Sequence, residues 1–211
     1  MHTVVVRVWL PDRPGALGQV ASRIGAVRGD VLGIVILESG AGRVIDELVV
    51  GIEDASLVDL LVSEVRAVDG VSVEHVRPID GDRLDPDLAA LSVGAELAEA
   101  PPSKQLDVLC TGVLRVADAE WAVVLVDGAL VQRSGEPPDV AWLMAFLDGS
   151  QHLENGHRST SAPSDIVWAR LDRSGVAIAA GRSDRPVHER ERVRVSMLAR
   201  LADALIDRRV D

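Results

Sequence analysis

Six consecutive residues, Asp12-Arg13-Pro14-Gly15-Ala16-Leu17, bring a carboxylate, a cation, a rigid turn and a glycine to the junction of a strand-like run and a helical one. The first N–H groups of a helix have no intrahelical acceptor, and the helix dipole is positive at that end. The amides of Gly15, Ala16 and Leu17 can therefore receive a carboxylate, while the Asp12 side chain can accept from an ammonium group. Gly15 lets a ligand approach the backbone closely, and Pro14 stiffens the chain where a missing N–H costs little. A plainer reading also fits these residues, in which Asp12 caps the helix and Pro14-Gly15 is an ordinary turn.

Other reactive side chains have weaker patterns. Cys110, the single cysteine, sits in the apolar run Leu109-Cys110-Thr111, which suits a packed core thiol and excludes an internal disulfide. The carboxylates of Asp80-Gly81-Asp82 and Asp85-Pro86-Asp87 lack the spacing of a calcium loop. His152 and His157 stand five residues apart in a polar segment with no third ligand in a zinc pattern. No phosphate loop, nucleophile elbow, zinc-protease helix or dinucleotide fingerprint is present. Neither a metal nor a cofactor is expected, and the chain is not expected to be an enzyme.

The elements around the loop can be read from periodicity. Val4, Val6, Val8 and Leu10 alternate along a first strand, and Leu17, Val20, Ala21, Ile24 and Val27 then recur at helical spacing up to a stop at Gly29. Two β-rich runs, about 31–39 and 43–52, flank Gly40-Ala41-Gly42 as a hairpin. Ser56 is an N-cap candidate for a second helix carrying Leu57, Leu60, Leu61, Val65 and Val68. A last strand follows Asp69-Gly70. The order βαββαβ is that of the ferredoxin-like split unit, which by itself assigns no function.

With Asp12-Arg13-Pro14-Gly15-Ala16-Leu17 closing the first strand, and Gly29-Asp30-Val31 through Gly33-Ile34 opening the second, residues 4–79 resemble the ACT family. The resemblance implies a regulatory domain that binds a free amino acid, and a homodimer in which a partner's second strand, about Gly33, Ile34 and Val35, supplies the opposite wall of each site. The ligand-binding set it implies is Asp12, Arg13, Pro14, Gly15, Ala16, Leu17, Gly33, Ile34 and Val35. The chain departs from the commonest pattern at Asp30, where Asn is frequent, and Arg13 adds a cation beside the loop. The aliphatic Ile34-Val35-Ile36 wall suits an apolar or branched-chain amino acid.

Residues 80–103, with Pro101-Pro102 and a short Ala/Leu helix, read as a linker. Beyond it lie a helix over about 104–116, strands over 121–126 and 129–134, a helix over 140–147, strands over 166–172 and 175–182, and a long last helix. In that helix Val193, Met197, Leu198, Leu201, Leu205 and Ile206 form one apolar stripe. The passage Ala180-Gly181-Arg182-Ser183-Asp184-Arg185-Pro186 into Glu189 resembles the end of a GAF domain, so residues 104–211 are expected to form a GAF-like α/β domain. The expected class is thus α/β (α+β), with an ACT domain at 1–79 and the GAF-like domain after the linker.

Composition limits the partners. A formal charge of -11 opposes a phosphate backbone, so no nucleic acid is expected. Charges interrupt every apolar run before a membrane span is reached, and no basic stretch followed by an apolar one opens the chain, so a cytoplasmic protein is expected. The combined reading is an amino-acid sensor without its own catalytic domain that signals to an unknown protein partner. The alternative is a dimerisation or protein-interaction scaffold with a degenerate ligand site.

Overall fold

The computed structural model describes residues 2–80, 85–150 and 165–206. The chain divides into two units, residues 1–83 and 84–211.

In the first unit β1 (His2–Pro11), α1 (Ala16–Ala26), β2 (Asp30–Gly40), β3 (Arg43–Ile52), α2 (Val58–Arg66) and β4 (Ser72–Ile79) follow one another. All strand pairs are antiparallel, in the order β2-β3-β1-β4. This is the ferredoxin-like arrangement. Successive strand residues face opposite sides, so Val4, Val6, Val8 and Leu10 of β1 join Leu48, Val50 and Ile52 of β3 on one face. Val20 and Ile24 of α1 and Leu61 and Val65 of α2 complete that core. On the opposite face Arg7 and Glu47 form a buried ion pair at 2.7 Å.

Two helix boundaries differ from expectation. At the end of α1 the left-handed residue is Arg28, φ 58°, and the amides of Arg28 and Gly29 bond to the carbonyls of Gly25 and Ile24 in a Schellman pattern. Glycine is needed at 29 for space, because a Cβ there would meet the Ile24 side chain at 2.8 Å. Ser56 does not cap α2. Asp54 accepts from the Ser56 amide at 2.8 Å and starts a 3-10 turn, Ala55–Leu57, that leads into the helix. The β2–β3 hairpin turns through Ala41 and Gly42, both at positive φ, which matches the twist of the strands.

The second unit contains α3 (Pro86–Glu99), α4 (Pro102–Val116), β5 (Trp121–Val126), β6 (Ala129–Ser134), α5 (Val140–Ser150), β7 (Ile166–Leu171), β8 (Val176–Gly181) and α6 (Glu189–Leu205). Its antiparallel sheet has the order β6-β5-β8-β7. Residues of α3, α4 and α6 pack with Ala122, Val124, Val167 and Ile178 in one core. Leu143 and Leu147 of α5 pack with Val123, Leu125 and Ala179 in another.

The span 80–103 is not a linker throughout. Asp85 caps α3, accepting from the amides of Asp87 and Leu88, and Pro86 occupies the first turn. Ala89, Val93 and Leu97 are buried in the core of the second unit. Gly112 of α4 sits where any Cβ would collide with Val93, which lets α3 and α4 approach closely.

Candidate functional site: the loop between β1 and α1

Strand pairing holds the loop at its base. Pro11 is in register with Arg43, and the Asp12 amide donates to the Gly42 carbonyl at 2.9 Å, which ties the loop to the β2–β3 hairpin. Pro11 also lies against Gly70, where a Cβ would come within 2.8 Å of its ring.

The helix then starts with its amides available. Gly15 is the N-cap of α1 at φ 86°, a left-handed conformation that a side chain disfavours, and no side chain caps the helix. Asp12 is therefore not the cap, which removes the plainer reading of that residue. Of the three amides expected to serve a ligand, that of Ala16 donates instead to the Arg13 carbonyl at 3.3 Å. Among the described residues, the amides of Gly15, Leu17 and Gly18 meet no acceptor. Gly18, which sequence reasoning left out, is the third residue of the helix and its donor follows from helix geometry alone. Asp12, Arg13 and Pro14 are exposed, Ala16 is buried, and Leu17 packs against the core.

On β2 the three expected wall residues do not share a face. Ile34 is in register with Leu48, a core residue beneath the helices, whereas Gly33 and Val35 pair with Val49 and Glu47 on the other side of the sheet. Ile36 joins Ile34 on the helix side, and the two are about half exposed, at 55% and 47%. As the edge strand, β2 extends beyond the helical cover. Asp30 is exposed at the start of that strand.

Asp46 also lies on the helix side and was not singled out from sequence. It is in register with Val8 on one side and Ile36 on the other, is 3% exposed, and its Oδ1 has no hydrogen-bond partner. Desolvation pushes this carboxyl above its ordinary value.

A cavity of about 460 Å³ in the first unit lies elsewhere, against α2 and β4, with His2, Asp59, Arg66 and Arg77 in its lining. In the second unit Cys110 is buried, and desolvation, with Asp107 adding to the shift, pushes its thiol up to about 11, which favours the neutral thiol over the thiolate. No group of three or more metal-ligating side chains exists among the described residues. His152, Glu154, His157 and Arg158 lie outside them. Among the described helices none is long and apolar enough to cross a membrane.

Comparison with known proteins adds a limited likeness. No protein-family model matches the chain, and no curated protein does. Two solved structures, one by crystallography and one by NMR, show the ACT domain from GTP pyrophosphokinase of Chlorobium tepidum. The first is 19% identical, with 37% of this chain and 100% of that chain covered and a TM-score of 0.31. The second is 18% identical, with 39% and 91% covered and again a TM-score of 0.31. Both are ACT domains. At this identity and score the likeness transfers no residue role, and the strand order and register of the first unit stand on their own.

Proposed function

We propose that the chain is a regulatory protein that binds a free amino acid at the loop 12–17 and has no catalytic centre of its own. The observation that carries this reading is the uncapped start of α1. Three backbone donors, a favourable dipole and a glycine N-cap converge where an amino-acid carboxylate would sit, beside the exposed Asp12 carboxylate. The protein works as a homodimer, in which a partner's β2 closes each loop, and the exposed Ile34 and Ile36 favour an apolar or branched-chain ligand. The second unit is a GAF-like module that passes the binding signal to a protein partner in the cytoplasm.

A thermal-shift screen of the whole chain against the twenty amino acids tests this. One or a few should stabilise the protein, by about 2.7 kcal/mol at a hundredfold excess over Kd. Asp12→Ala and Gly15→Val should lose the shift. No shift with any amino acid overturns the proposal.

A specific observation favours a second reading, a dimerisation or interaction scaffold. Val193, Met197 and Leu201 of α6 and Leu88 and Leu91 of α3 are all exposed, and all but Leu88 line one groove of about 450 Å³ together with Ala90 and Leu198. Such a patch is larger than isolated surface aliphatics require and suits a second copy of the chain.

A further inference from the structure

Asp46 is the one acidic residue on the helix-covered face of β3. Its strand partner Val8 and its alternate neighbours Leu48 and Val50 belong to the core beneath α1 and α2. A carboxylate there, 3% exposed and with an unpartnered Oδ1, has lost most of its hydration without gaining a hydrogen bond. Such groups are rare in folded proteins and call for a physical reason. Nothing about local folding requires the charge, since an aliphatic residue would continue the alternation of Leu48 and Val50.

The position supplies the reason. Asp46 stands three residues inside the end of β3 that pairs with Pro11, so it lies at the same end of the sheet as the loop. Leaving Pro11, the chain turns back over this face, burying Ala16 and packing Leu17 against the core, which brings the first turn of α1 to Asp46's side of the sheet. On the other flank its register partner Ile36, with Ile34, forms an apolar shelf open to solvent. Donors for a carboxylate, a buried acceptor for a cation and an apolar surface thus lie at one end of the same face of the sheet.

We propose that Asp46 accepts the ammonium group of an α-amino acid whose carboxylate bonds to the amides of Gly15, Leu17 and Gly18 and whose aliphatic side chain rests on Ile34 and Ile36. The inference deepens the amino-acid reading above and rests on it. Asp46 is a specificity residue: it distinguishes an amino acid from the carboxylic acid of the same shape. A site with a buried acceptor rejects a ligand that leaves it unpaired.

The test uses the whole chain with leucine, isoleucine and valine, together with N-acetyl-leucine and 4-methylpentanoate, in calorimetry. At least one of the three amino acids should bind, and neither analogue should do so measurably. Asp46→Asn should weaken binding at least about tenfold, as expected for loss of a charge-assisted hydrogen bond. The ligand-free Asp46→Asn protein should melt no lower than the parent. Equal binding of leucine and 4-methylpentanoate by the parent, or unchanged affinity in Asp46→Asn, overturns the role of Asp46 and leaves the loop as an amino-acid site. Absence of binding by any of the twenty amino acids overturns both. The analogue comparison needs only the parent protein, so it decides the matter even if the variant fails to fold.

Discussion

Replacing Arg182 with Leu should be among the most damaging single changes in the second unit. Arg182 lies at the passage from β8 to α6 with its side chain 1% exposed, facing a Glu191 side chain that is 5% exposed. Its guanidinium donates to both Glu191 oxygens at 2.9 and 2.8 Å and to the carbonyls of Ala117, Arg185 and Pro186. The hydrophobic replacement leaves the Glu191 carboxylate buried without its counter-charge, and breaking one side of such a pair costs about 3–5 kcal/mol. Three carbonyls lose a donor as well. For a unit of this size the penalty corresponds to roughly 10–20 °C in Tm. Arg115→Leu provides the control: its ion pair with Glu96 is just as short, 2.6 Å, but the side chains are 49% and 42% exposed, so its loss should cost at most about 1 kcal/mol. Urea unfolding followed by circular dichroism measures both. Equal effects from the two substitutions, or a loss below about 1 kcal/mol for Arg182→Leu, would refute the argument that burial and the carbonyl contacts set the value of this pair.

Cys110, with its thiol near 11 and a weak bond to the Ala122 carbonyl, should resist a disulfide reagent at pH 8 until urea unfolds the chain; rapid labelling of the native protein would contradict the burial. Asp46→Asn should change the pH dependence of stability. The folded carboxyl titrates above its ordinary value, so the stability of the neutral form is fully present below about pH 4 and is lost as pH rises through the folded value. The variant should therefore gain in Tm over the parent as pH rises above about 4, and a difference independent of pH would exclude this origin. Met197→Glu with Leu201→Glu, both on exposed positions of α6, should leave the monomer folded but dissociate a dimer formed through the α3–α6 groove; unchanged mass in sedimentation would remove that interface.

Local pattern was enough for most of the elements. β5 and β6 run over the residues expected of them, because apolar strand segments flank Asp127 and Gly128, whose positive φ values make a tight hairpin turn. The βαββαβ order followed in the same way from periods of two and three to four residues. The loop at 12–17 was legible because proline and glycine mark a strand-to-helix turn whatever surrounds them. The short Ala/Leu helix read within 80–103 is α3, started by Asp85 and Pro86, but nothing local showed that it packs into the core of the second unit.

What sequence left undecided depends on partners distant along the chain. In α6 the aliphatic residues read as a single stripe, yet the buried face is Glu191, Arg194, Val195, Leu198, Ala199 and Ala202, and Val193, Met197 and Leu201 point outward. Charged residues turn inward there because Arg182, on the strand side of the turn into α6, and Asp87, more than a hundred residues away in sequence, are in place to pair with them. At Asp87 burial raises the carboxyl, but hydrogen bonds from Arg194 and Arg190 outweigh it and hold it below its ordinary value. Asp46 likewise looks like any strand acid until the register sets it opposite Val8 under the helices. Sequence determined the elements and the turn, since those depend on neighbours a few residues away. Tertiary structure decided which charges are buried and which faces stay open, since desolvation is imposed by residues the chain brings together only on folding.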